Sequence, residues 1–192
     1  MFLDAPILEN AHVRLEPLVQ RHAADLAAAV GDLHTLWYQD HIPAPGEVEQ
    51  MIERMLLSEN RVAWAIVAPD KRAVGVTTYL NIDPPNRSLE IGSTWISAEY
   101  QGTVVNPASK LLLLARAFED LGCGRVEIRT HFMNRQSRAA IEKLGAKLDG
   151  VLRRHKVLKS GLVRDTCVYS ILDFEWPEVK AGLEARLAQP AH

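Results

Sequence analysis

Cysteine is scarce: the 192-residue chain carries only Cys123 and Cys167. Neither has metal-ligand spacing or a disulfide framework around it, and both sit among apolar neighbours, so they read as small core fillers. No pair of histidines shows metal spacing either, and no metal is expected. An excess of one charge is lacking as well. The formal net charge of −2 argues against a dedicated nucleic-acid binder, which would show a strong basic excess. Met1 to Gln20 contains Asp4, Glu9 and Glu16 and has no apolar h-region, so it does not read as a signal peptide. The most apolar run, Leu111 to Phe118, is broken by Arg116 and is too short to span a bilayer. Internal repeats, low-complexity segments and interdomain linkers are all missing. The expectation is a cytoplasmic protein with no nucleic-acid or membrane partner, folded as a single domain over 1–192.

What is present is an ordinary globular composition, 47% hydrophobic and 24% charged. Val13 to Leu15 reads as a short strand leading into a helix at about Gln20 to Val30. A second helix, Glu47 to Leu57, carries Val48, Met51, Ile52 and Met55 at helical spacing. Between them lies an irregular stretch, Leu33 to Gly46, with aromatics and two prolines, suited to walling a pocket. Three strand-like runs follow, Arg61 to Ala68, Ala73 to Ile82 and Ser88 to Ser97, punctuated by hairpin turns at Pro69–Lys71 and Asp83–Asn86. A helix at Lys110 to Leu121 then leads to a fourth run, Arg125 to His131, and reads as a crossover joining a parallel pair. Asn134 caps a helix, Arg135 to Leu144, which Gly145 stops. Strands at Gly150 to Leu158 and Arg164 to Leu172 and a last helix near Pro177, striped with Val179, Leu183 and Leu187, complete the chain. The pattern predicts an α+β fold: a mixed, mostly antiparallel twisted sheet of about seven strands with helices on both faces.

The stretch Ser97 to Lys110 organises the rest. It turns a strand into a helix through Gln101 and Gly102. Asn106 is expected to cap that helix, with Pro107 at its first position. Free N–H groups and the positive end of the helix dipole would then converge on one spot, an anion site that suits a pyrophosphate.

Three motifs carry a family likeness: Glu90-Ile-Gly-Ser-Thr-Trp-Ile-Ser97, Gln101-Gly-Thr-Val-Val-Asn-Pro107 and Asn134-Arg-Gln-Ser-Arg-Ala-Ala-Ile-Glu-Lys-Leu-Gly145. With the final hairpin, Gly150 to His155 and Val163 to Thr166, they resemble the GNAT superfamily of N-acetyltransferases in its RimJ/RimL-like branch. The resemblance implies acetyl-CoA as co-substrate, seated in a V-shaped splay between the fourth and fifth strands. It implies pantetheine contacts at Trp95, Ile96 and Ser97, and a pyrophosphate on Gln101, Gly102, Thr103, Val104, Val105 and Asn106. Asn134, Ser137 and Arg138 would complete the cofactor contacts. The chain departs from the superfamily pattern in two places. The phosphate loop usually follows Gln/Arg-x-x-Gly-x-Gly/Ala, and here Val104 and Asn106 hold its last two special positions, so the loop must use a conformation open to ordinary side chains. Ile141 stands where many members carry a thiolate-protonating Tyr, and Ser137 is the nearest substitute.

Acetyl transfer to an amine requires a polarised thioester, a neutral amine and some stabilisation of the leaving thiolate. A general base matters more for an alkylammonium acceptor than for a peptide N-terminus, whose amine is less basic. Glu90 is the candidate base, directly or through a water, since a carboxylate inside a central strand is uncommon. The alternative is that it pairs structurally with Arg129 or Lys71. Simple alternation puts Ser88, Glu90, Gly92 and Thr94 on one strand face and Leu89, Ile91 and Trp95 on the other. Trp37 and Tyr38 are candidates for the acceptor site or else packing residues. His131 is a second candidate base, and Arg153–Lys156 reads as a solvated hairpin face, with contact to an acidic partner or to the cofactor's phosphates as the alternative. The expected function is N-acetylation of a protein N-terminus or small amine by direct attack. A non-catalytic acyl-CoA-binding sensor on the same fold is the alternative. The last helix or a sheet edge is where a homodimer would form.

Overall fold

The runs Val62–Ala68 and Ala73–Val76 are continuously apolar, which suits strands covered on both faces by helices. In a computed structural model, which describes residues 2–39 and 41–188, that is how the sheet is built. Its strands are β1 (Leu8–Glu9), β2 (Arg14–Pro17), β3 (Arg61–Val67), β4 (Ala73–Asp83), β5 (Ser88–Ile96), β6 (Arg125–His131), β7 (Lys147–Val157) and β8 (Val163–Leu172). They run in the order β1-β2-β3-β4-β5-β6-β8-β7, eight strands rather than about seven. The additional one is the two-residue β1, too short to leave a periodic signal.

Helices α1 (Ala23–Val30) and α2 (Val48–Leu56) cover one face, packing Leu26 and Ile52 against Val76 and Trp95. On the other face lie α3 (Val105–Ala115), α4 (Arg135–Glu142) and α5 (Trp176–Leu187). They bury Leu113, Ile141 and Trp176 in one cluster with Trp64 and Tyr79. Helix α3 runs on into a wider π-type turn at Arg116–Asp120. Cys123 and Cys167 are both buried and free, as core residues. Among the described residues no helix is long and apolar enough to cross a membrane.

Every pairing in the sheet is antiparallel except β5 with β6. That parallel ladder joins only Ser88, Leu89 and Glu90 to Arg125, Val126 and Glu127. Beyond it the two strands diverge, which is the expected V. A second irregularity lies in β5 itself. Thr78 pairs with Gly92, but Val76 pairs with Trp95, so β5 carries one extra residue there. Ser93 absorbs it at φ 47°, a β-bulge. The bulge overturns the simple alternation. Leu89, Ile91 and Ile96 face α3, whereas Trp95 faces α1 and α2, and Thr94 is turned onto α3.

The close approach of β4 to the far end of β5 depends on Gly75. A Cβ there would stand 2.2 Å from the Trp95 carbonyl oxygen and 2.9 Å from the Ile96 Cα, both backbone atoms that cannot swing aside. Gly75→Ala is therefore expected to cost ~2 kcal/mol and to lower the melting temperature by ~6 °C. An unchanged thermal melt would show that the two strands can separate without cost.

Candidate active site

The V between β5 and β6 opens a cleft of about 620 Å³, a size that takes a small-molecule ligand. Past Glu90 and Glu127 the facing edges of the two strands have no ladder partner. Their inward N–H and C=O groups are thus available to an extended ligand, as a missing strand would use them. The cleft passes through the sheet. Thr94, Lys110 and Ile141 line it on the α3 and α4 side, and Glu90, Arg129 and Tyr38 on the other.

At one end the chain turns from β5 into α3. Gly102 adopts φ 77°, and the Gln101 side-chain amide donates to the Ile96 carbonyl at 3.0 Å. Helix α3 begins at Val105, with Val104 before it at φ −70°. Two expectations need correcting here. Asn106 does not cap the helix and Pro107 is not its first residue, because Thr103 Oγ1 accepts the Val105 N–H at 3.3 Å and lets the helix begin earlier. Pro107 still sits in the first turn, where a missing N–H costs nothing. The Asn106 amide, with no acceptor inside the helix, and the positive dipole end are left open to an anion.

Across the cleft, Asn134 caps α4 as expected, accepting the Ser137 N–H at 3.0 Å. Of the residues anticipated for the cofactor, Trp95, Ile96, Gln101, Gly102, Thr103, Asn106, Asn134 and Ser137 line the cleft. Val105 is buried in the core, and Val104 packs beside it. Arg138 turns away: its Nε donates to the Tyr169 hydroxyl at 3.1 Å and its guanidinium lies over the Phe132 ring. Ser97 lies just past the lining, buried, and its Oγ has no hydrogen-bond partner among the described residues; the same holds for Trp95 Nε1. Buried polar atoms left unsatisfied are uncommon. Two of them beside an unpaired strand edge fit a pantetheine arm with its amides.

On the opposite side, Glu90 is 6% exposed. Its Oε2 accepts the Asn81 side-chain amide at 2.8 Å and lies 3.5 Å from Arg129 Nε. Of the two anticipated pairings the structure makes the one with Arg129; Lys71 sits in the β3–β4 turn. Burial pushes the Glu90 carboxyl above the usual carboxylate range, and Arg129 and Asn81 offset part of that rise. His131 Nδ1 accepts the Met133 N–H at 3.0 Å, and Tyr38 and Trp37 stand edge-on to its ring. Tyr38 faces the cleft, while Trp37 is 53% exposed and borders a shallower groove, so it does not pin its loop to the core. Among the described residues no cluster could hold a metal ion.

Lys110 is the functional candidate that sequence reasoning passed over. It is 5% exposed, lines the cleft, and donates through Nζ to Thr94 Oγ1 at 3.1 Å, with Thr77 next in the chain of hydroxyls. Burial lowers its pKa to about 7. A lone cation inside the apolar run Ala108 to Leu114 was the available signal. Arg61 and Arg164 were missed too, and Lys156, exposed on its hairpin as expected, also borders the cleft; the three come from different strands.

Residues 12–147 match a family model described as an acetyltransferase (GNAT) domain. A Bacillus subtilis protein provisionally named ribosomal N-acetyltransferase YdaF is 35% identical over 107 residues, 56% of this chain and 57% of that relative. A crystal structure of a T. thermophilus protein, provisionally assigned as an acetyltransferase, superposes with a TM-score of 0.89 at 37% identity, covering 97% of this chain and 100% of that one. A GCN5-related N-acetyltransferase from Brucella melitensis gives a TM-score of 0.90 at 32% identity, covering 96% and 86%.

Proposed function

The chain belongs to the GNAT acetyltransferase family, and we propose that it moves an acetyl group from acetyl-CoA to a primary amine, on a protein N-terminus or a small molecule, by direct attack. The observation that carries this reading is the cleft itself: an unpaired strand edge and a helix start on one side, and a buried carboxylate on the other. The name of the B. subtilis relative favours a ribosomal protein as acceptor.

In this mechanism the helix start at Val105 and the Asn106 amide hold the diphosphate of acetyl-CoA. The open edge of β5 aligns its pantetheine, with the Ser97 hydroxyl and the Trp95 indole as further partners. Glu90, raised by burial toward the range where a carboxylate can accept a proton from an amine, takes that proton directly or through a water. The neutral amine attacks the thioester carbonyl and the C–N bond forms; the C–S bond then breaks as the extra proton on the nitrogen passes to the departing sulfur, and CoA leaves as the thiol. Ile141 cannot donate to the departing thiolate, so Ser137, one turn earlier on α4, is assigned that hydrogen bond. No enzyme-bound acyl intermediate is involved. Cys123 and Cys167 are buried away from the cleft lining, and burial raises both thiols, Cys123 to about 11.

The test is thiol release from acetyl-CoA on addition of amines, with the acetylated product identified by mass. Turnover on at least one peptide N-terminus or small amine is expected. Tight CoA binding with no turnover on any amine would instead make the protein an acyl-CoA sensor.

A further inference from the structure

The half of the cleft that would receive the acceptor is strongly basic. Arg61 on β3, Leu80 on β4 and Glu90 on β5 stand opposite one another in register, so they share one face of the sheet. On β6, Glu127 is opposite Glu90, and Arg129 follows two residues later on the same face. Lys156 and Arg164 oppose each other across β7 and β8. Arg61, Arg129, Lys156 and Arg164 all line the cleft, and Glu90 is the single carboxylate among the described lining residues.

These cations differ in what they already hold. Arg129 is engaged by Glu127 and Glu90, and Arg164 donates to the Thr166 hydroxyl at 3.0 Å. Arg61 and Lys156 make no side-chain hydrogen bond or ion pair among the described residues. Arg61 is half-buried and Lys156 is exposed at the cleft's rim, and both act on Glu90 from a distance, without contact. A half-buried guanidinium without a counter-ion is a costly arrangement unless an anion arrives to meet it. A cationic acceptor such as a polyamine would be repelled by this wall. A neutral amine joined to an anion would be drawn in and oriented.

We infer that the acceptor is a primary amine bearing a carboxylate or phosphate, which Arg61 and Lys156 hold while its amino nitrogen is presented to Glu90. This rests on the acetyl-transfer reading, and it adds the substrate class.

The experiment uses paired anionic and neutral acceptors: the isosteric dipeptides Ala-Asp and Ala-Asn as C-terminal amides, and O-phosphoethanolamine against ethanolamine, which lacks the phosphate. At least one anionic member is expected to exceed its neutral partner about tenfold in kcat/KM, the worth of one charge-assisted contact. Whether Ala-Asp or the phosphate ester gains more distinguishes the carboxylate from the phosphate. In Arg61→Gln and Lys156→Gln that ratio is expected to collapse toward one, with CoA affinity measured alongside. Equal rates within both pairs would overturn the inference and leave acetyl transfer standing. A loss of CoA affinity matching the loss of acceptor preference would also overturn it, since the cations would then serve the cofactor. Should no amine turn over, the acetyl-transfer reading falls, and the anion site is judged by titrating succinate and inorganic phosphate into CoA-loaded protein. Saturable binding that Lys156→Gln abolishes would support the site, and no binding would overturn it.

Discussion

Glu90→Gln is expected to slow acetyl transfer by roughly 10²- to 10⁴-fold, the usual contribution of a positioned general base, while CoA affinity stays within about twofold. The reason lies in where the carboxylate sits. It is on the opposite side of the sheet from the α3 terminus proposed to take the diphosphate, so its loss should remove proton transfer and not cofactor contacts. The pH profile gives a second readout. Burial holds the Glu90 carboxyl above the ordinary range, and a general base acts in its deprotonated form. Wild-type kcat/KM should therefore fall as pH drops through that raised value, at a higher pH than an exposed glutamate would give. In Glu90→Gln that limb should disappear. An unchanged rate with an unchanged acid limb would remove Glu90 from the chemistry and leave it as Arg129's partner.

Lys110→Met is expected to stabilise the protein and weaken CoA binding at the same time. The buried ammonium has one hydroxyl partner, Thr94 Oγ1, and no carboxylate within salt-bridge distance among the described residues. Each pKa unit is about 1.4 kcal/mol, so a fall from the usual ~10.4 to about 7 sets a ceiling near ~5 kcal/mol. Local relaxation should reduce the gain to on the order of 3 kcal/mol. Below pH 7 the folded and unfolded chains both carry the proton, and the penalty is complete. Between about 7 and the unfolded value the unfolded chain binds a proton that the folded chain does not, so wild-type stability rises with pH. The methionine variant should lack that rise, and its advantage should be largest at or below neutral pH. A cation kept at such a cost one turn from Asn106 fits a role toward the phosphates, so CoA affinity should drop about tenfold, the effect of losing one charge-assisted contact. Chemical denaturation across pH, with CoA titrations, checks both. A variant that is no more stable than wild type at neutral pH would show that Lys110 is solvated or paired in solution.

Much of the architecture was legible residue by residue. The apolar runs of β3, β4 and β5, the turns between them and the Asn134 cap are set by interactions spanning a few positions. A helix between two strands implied the parallel pair, and the buried carboxylate of Glu90 was visible as a charge inside an apolar strand. So were the two core cysteines. The same local view failed where a distant partner decided the outcome. Ser93's bulge arises because β4 and β5 must meet with unequal numbers of residues, and it turned Thr94 to the α3 side against simple alternation. The Thr103 hydroxyl drew the start of α3 forward and displaced Asn106 from its expected capping role.

From the sequence alone came a mixed sheet, the turn from strand into helix at Gln101 and Gly102, and a family likeness, because hydrophobic period, turn chemistry and motif order are written along the chain. Only the tertiary structure buried Lys110 beneath β5 and gathered Arg61, Arg129, Lys156 and Arg164 around the cleft that Glu90 lines. Those side chains lie on separate elements, and strand register, which no local window contains, brings them to one place.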